Sequence, residues 1–81
     1  MRIKILGSGC EKCRRLEQAV RTAVYDSALD ATVELVTDPR VIARYGVIRT
    51  PALVVNEQVV VSDRVPGSAE LQALFAVAPA C

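Results

Sequence analysis

Residues 4–13 read Lys4-Ile5-Leu6-Gly7-Ser8-Gly9-Cys10-Glu11-Lys12-Cys13, and the change of rhythm inside this stretch decides the fold. Arg2-Ile3-Lys4-Ile5-Leu6 alternates and is rich in isoleucine, the pattern of a short strand. Gly7-Ser8-Gly9 breaks that strand with a flexible turn. From Glu11 the period changes: Cys13, Leu16, Val20, Ala23 and Val24 recur at helical spacing, with Arg14, Arg15, Gln18 and Arg21 on the other face. The spacing predicts a helix of about four turns, ending before Ala31.

Further along, Thr32-Val33-Glu34-Leu35-Val36-Thr37 is rich in β-branched residues and has period two, a second strand. Asp38-Pro39 then marks a helix start, an N-cap acceptor followed by proline at the first helical position. Val41, Ile42 and Tyr45 form the apolar side of that short helix, and Gly46 stops it in a left-handed cap. Ala52–Val55 and Val59–Val61 are apolar runs separated by Asn56-Glu57-Gln58, hence a hairpin. With no glycine in the turn, either Asn56 is left-handed or the loop exceeds two residues. Pro66-Gly67 reads as a loop and Ser68 as an N-cap. Leu71, Leu74, Phe75 and Ala78 make the inner face of a last helix that Pro79 ends.

The predicted fold class is therefore α/β, ordered β-α-β-α-β-β-α, with a mixed four-stranded sheet flanked by helices. Strands one and two, joined by a helix, should be parallel with a right-handed crossover. Strands three and four should be antiparallel. Eighty-one residues allow one domain, 1–81. With 52% hydrophobic and 23% charged residues, the composition excludes intrinsic disorder. No apolar run nears the roughly 20 residues that span a bilayer, and Met-Arg-Ile-Lys-Ile does not resemble a secretory signal. A net charge of +1 argues against a general nucleic-acid binder. The chain has no histidine, which excludes catalytic triads, Cys-His dyads and His-ligated zinc. Three cysteines, Cys10, Cys13 and Cys81, are too few for a four-cysteine metal site and unlike a secreted disulfide scaffold. The expectation is a cytoplasmic chain with one close cysteine pair.

That pair has a chemical logic. Cys10 stands at a helix entrance, where unpaired backbone N–H groups and the helix dipole favour a thiolate, the reactive form. Lys12, Arg14 and Arg15 add positive charge and Glu11 opposes them, so Glu11 and Lys12 are candidate tuners of a lowered Cys10 pKa. Cys13 lies one turn along on nearly the same side and shares the apolar stripe with Leu16 and Val20, so it should be the more sheltered thiol. An exposed nucleophile with a sheltered partner suits thiol–disulfide exchange, Cys10 attacking and Cys13 resolving. Paired thiolates also suit Cu(I) or zinc, so a metal carrier is the alternative function; a passive pair of core cysteines is the third.

Arg49-Thr50-Pro51 precedes the third strand and, taken alone, could be an edge device, since proline lacks an N–H. Together, Gly7–Cys13, Tyr45-Gly46-Val47, Thr50-Pro51-Ala52-Leu53-Val54 and Val65-Pro66 resemble the small thioredoxin-like proteins of the redox-active disulfide family. The resemblance runs essentially the whole chain and implies a minimal thioredoxin fold. It further implies a cis Thr50–Pro51 bond facing Cys10 and Cys13, Thr50 pairing through its backbone with an extended substrate segment. Gly67 would flank the site, where a side chain would obstruct a docking partner. The sequence departs from larger thioredoxins in having Gly9 rather than Trp before the first cysteine, Glu11-Lys12 rather than Gly-Pro between the pair, and no carboxylate on the first strand. The expected activity is that of an enzyme, a protein thiol–disulfide oxidoreductase working by electron transfer without cofactor or metal. Its expected partners are protein disulfide substrates and a reductase, with no nucleic acid or membrane, and the protein acting as a monomer. Cys81 reads as an accidental thiol in a tail, Arg14, Arg15 and Arg21 as a solvated face, and Tyr45 as packing. Lys4 is assigned neither to the site nor to the sheet's solvent side.

Overall fold

The computed structural model describes residues 1–9, 11–47 and 49–76. The expectations for Cys10, Ala78, Pro79 and Cys81 lie outside the described residues. In chain order the elements are β1 (Arg2–Leu6), α1 (Glu11–Asp26), β2 (Thr32–Val36), α2 (Pro39–Arg44), β3 (Ala52–Val55), β4 (Gln58–Ser62) and α3 (Ser68–Ala76). The sheet is mixed, with strand order β2-β1-β3-β4. β1 and β2 are parallel, as their helical crossover requires, and β3 is antiparallel to both β1 and β4.

Alternation along β1 sends its side chains to two different layers. Ile3 and Ile5 join Leu53, Val55 and Val61 beneath Leu16, Val20 and Ala23 of α1 and Leu71 and Phe75 of α3. Leu6 faces the other way and joins Val36, Ala52 and Val54, against Val41 and Ile42 of α2 together with Tyr45 and Val47. β3 is buried at all four positions because it has a neighbour on each side and a layer on each face.

Local chemistry explains the element ends. The Asp38 side chain accepts a hydrogen bond from the Arg40 backbone at 2.9 Å, capping α2 with Pro39 behind it. Gly46 follows in the left-handed region at φ +73. At α3 the structure shifts the start: the Gly67 carbonyl accepts from the Leu71 backbone at 3.0 Å, so Ser68 is the first helical residue rather than the cap.

The hairpin holds two further departures. The Val55–Gln58 pairing leaves a two-residue turn, and both Asn56 (φ 49) and Glu57 (φ 69) are left-handed. Asn56 is held there by Arg2, whose backbone N–H donates to Oδ1 at 2.8 Å and whose carbonyl accepts from the Asn56 backbone at 2.8 Å. Val59-Val60-Val61 cannot alternate, and the register shifts opposite Leu53 and Val54, making Val60 the extra residue of a bulge. The bulge lets Val60 and Val61 both pack toward the α1 layer.

Candidate functional site

β1 ends at Leu6, and α1 begins at Glu11, so the glycine-containing turn delivers the chain from the middle of the sheet to a helix N-terminus. Gly9 is in the left-handed region at φ +84, and nothing lies within 4 Å of where its Cβ would be; it serves the turn. Gly7 serves a different purpose. A Cβ built on it would sit 2.0 Å from the Cys13 Sγ, 3.2 Å from the Cys13 Cβ and 4.0 Å from the Thr50 Cβ. These distances place the Cys13 sulfur against the backbone at the end of β1, with Thr50 bordering the same spot.

Cys13 is buried at 1% exposure, and it projects from the face of α1 that also carries Leu16 and Val20. Its helical position makes it sheltered, as its stripe predicted. Thr50 is half-buried, and Pro51 is fully buried after a cis peptide bond. The Pro51 carbonyl accepts from the Asp63 backbone at 2.8 Å, which ties the start of β3 to the residue that follows β4. Residues from β1, α1 and the β3 entrance, widely separated in sequence, therefore share one end of the sheet.

The remaining candidates stand further apart. Glu11 and Lys12 are exposed, and Glu11 Oε1 accepts from Arg15 Nη2 at 2.7 Å, an i,i+4 pair that engages its carboxylate. Gly67 is exposed with open space around its missing Cβ, so no neighbour within the chain requires a glycine there. Cys10, next in the chain before α1, lies outside the described residues. On the outer face of α1, Arg21 pairs with Glu17 at 3.0 Å, in keeping with a solvated surface.

Sequence reasoning missed a polar cluster on the α2 side. Lys4, on the same face of β1 as Leu6, donates from Nζ to the Tyr45 hydroxyl at 2.8 Å and to Glu57 Oε1 at 2.9 Å. Tyr45 in turn donates to Glu57 Oε2 at 3.1 Å. Hydrogen bonds to Tyr45 and Glu57 raise the Lys4 ammonium above its ordinary range, and the bonds from Lys4 and Tyr45 hold the Glu57 carboxyl below its own. The cluster fastens the C-terminal end of α2 and the hairpin turn to the central strand. It also helps explain the left-handed Glu57: the ion pair holds a side chain at a position that ordinarily favours glycine.

A family model described as a thioredoxin domain matches residues 1–76. The chain belongs to the thioredoxin-domain family. It is 31% identical over 75 residues to a thioredoxin of Methanothermobacter thermautotrophicus, covering 93% of this chain and 97% of that relative. It is 33% identical over 70 residues to a thioredoxin of Methanocaldococcus jannaschii, covering 86% of this chain and 80% of that one. With the mixed sheet and its flanking helices, these matches make it a small thioredoxin-like redox protein of α/β class. No helix among the described residues is long and apolar enough to cross a membrane.

Proposed function

We propose that this protein is a thiol–disulfide oxidoreductase that reduces protein disulfides with Cys10 and Cys13. The observation that carries the reading is the buried Cys13 sulfur seated against Gly7 beside Thr50, immediately within a helix whose N-terminus follows Cys10. Orphan N–H groups at that terminus and the helix dipole favour negative charge, which lowers the pKa of a thiol placed there.

The Cys10 thiolate attacks one sulfur of a client disulfide; a mixed disulfide forms, and the other client sulfur leaves as a thiolate. Cys13 loses its proton and attacks Cys10 Sγ, releasing the second client sulfur and leaving a Cys10–Cys13 disulfide. Two electrons pass from the pair to the client; the Cys13 proton and one proton from solvent, which received the Cys10 proton when the thiolate formed, end on the client's two sulfurs. A reductase or small dithiol returns the pair to its starting state. Withdrawal of Cys13 from solvent suits a resolving thiol, which meets its target only after a client is bound to Cys10.

Thr50 and Gly67 are proposed as client contacts, and Pro51 as the residue that shapes the entrance of β3. Past Thr50 a groove of about 690 Å³ is lined by Tyr45, Val47, Arg49, Val59, Ser62 and Asp63. It offers an extended segment both apolar surface and the Arg49–Asp63 ion pair. Glu11 and Lys12 are proposed to tune Cys10 through opposing charge, both screened by solvent. Cytoplasmic placement belongs to the same proposal. Metal carriage by the pair is the weaker reading, because helix α2 stands before the hairpin where a β-α-β-β-α-β metallochaperone has none.

The test is reduction of insulin by the reduced protein, followed by turbidity. Cys10→Ser should abolish the activity; a Cys10→Ser protein as active as the parent refutes the proposal.

A further inference from the structure

We infer that Gly7 is a positioning residue for Cys13: the space left by its missing side chain is the seat of the Cys13 sulfur, and that seat keeps the thiol withdrawn from solvent. The inference deepens the exchange reading and rests on it for its functional meaning. Its geometry stands separately. Gly7 is not among the residues with positive φ, so the backbone there accommodates an L-residue, unlike Gly9 and Gly46. What chiefly excludes a side chain is the sulfur; the Cys13 Cβ, 3.2 Å from the same point, is a tight contact that a small shift relieves. A separation of 2.0 Å is far inside the 3.5–4.0 Å of ordinary van der Waals contact between heavy atoms.

Neither backbone can retreat easily. The Gly7 N–H donates to the Val36 carbonyl at 3.0 Å, continuing the β1–β2 pairing beyond the strand. Cys13 belongs to α1, which is anchored three residues later by the fully buried Leu16 and then by Val20. Thr50 borders the seat on another side. The soft coordinate is the Cys13 side-chain torsion, so a methyl at position 7 turns the sulfur out of its seat. For an exchange pair this changes when the second thiol becomes available: a sulfur out of its seat meets outside reagents that the seated one does not.

The experiment follows Cys13 alone, in the full chain carrying Cys10→Ser and Cys81→Ser. In that background Gly7→Ala should raise the rate of iodoacetamide alkylation at Cys13 at least tenfold, whereas Leu53→Ala, a core substitution opposite Ile5 that leaves position 7 a glycine, should raise it far less. Gly7→Ala should also lower the melting temperature, and by less than half as much once Cys13→Ala has removed the sulfur. An alkylation rate within twofold of the parent, a rise matched by Leu53→Ala, or an equal melting loss with and without the sulfur each overturns the inference. If Gly7→Ala does not fold, folding of Gly7→Ala/Cys13→Ala supports the seat and its failure to fold overturns it. No readout requires Cys10 to react, so loss of the exchange reading and loss of the seat are told apart.

Discussion

The two faces of the sheet are built differently. On the α1 and α3 side, Ile3, Ile5, Leu53 and Val55 meet two helices in a continuous apolar layer. On the α2 side, a six-residue helix covers only Leu6, Val36, Ala52 and Val54, and the layer is completed by the Lys4–Tyr45–Glu57 cluster. The thick face supplies most of the apolar burial that stabilises the chain. The thin face uses directional bonds to hold the segment that runs from α2 to Thr50. The Cys13 sulfur lies where the two meet, at the end of β1, with Cys13 coming from the thick side and Thr50 and Pro51 from the loop after α2.

The largest effect should come from the thick face. Leu16→Ala removes a fully buried side chain and should cost about 2–5 kcal/mol in urea unfolding, enough to leave a chain of this size marginal. Val54→Ala on the thin face should cost less, about 1.5–3 kcal/mol, because fewer apolar atoms leave contact. A Val54→Ala loss equal to that of Leu16→Ala would erase the contrast.

The polar cluster sharpens it by pH. The Glu57 carboxyl is held below its ordinary range, so the stability it contributes is present above about pH 4.3 and is lost as pH falls through its folded value. The Lys4 ammonium is raised, so its contribution is complete below about pH 10.4 and is lost only as pH rises through its still higher folded value. Lys4→Met should therefore destabilise by a constant amount between about pH 6 and 9, smaller than the Val54→Ala loss, with the gap from the parent narrowing below about pH 4.3. A gap that widens in acid would show that the cluster is not what holds this face. The smallest effect belongs to the solvated side of α1. Arg15→Ala breaks an exposed i,i+4 pair and should shift stability by no more than about 0.5 kcal/mol in the same urea titration.

Much of this organisation is legible in the residues themselves. The switch from alternation at Arg2–Leu6 to helical spacing after Glu11, the Asp38-Pro39 start and the left-handed Gly46 all follow from rules that act within a few positions. What escaped were relations between distant positions. Gly7 reads as a turn former, since a glycine required for conformation and one required for a neighbour's sulfur look alike in a sequence. Lys4 had no visible destination because its partners lie 41 and 53 positions away. The missing turn glycine points to Asn56 as a left-handed residue; Glu57 joins it with a bond that reaches back to the first strand. Resemblance alone places Gly67 beside the site, and the open space around it neither supplies nor demands a contact within the chain.

The division of labour between an attacking Cys10 and a resolving Cys13 can be read from intact-mass and peptide analysis of Cys13→Ser after exposure to a disulfide-bonded client. Cys13→Ser should accumulate a stable adduct joined through Cys10, absent from Cys10→Ser and short-lived in the parent. An adduct carried by Cys81, or none at all while the parent still reduces the client, would contradict it.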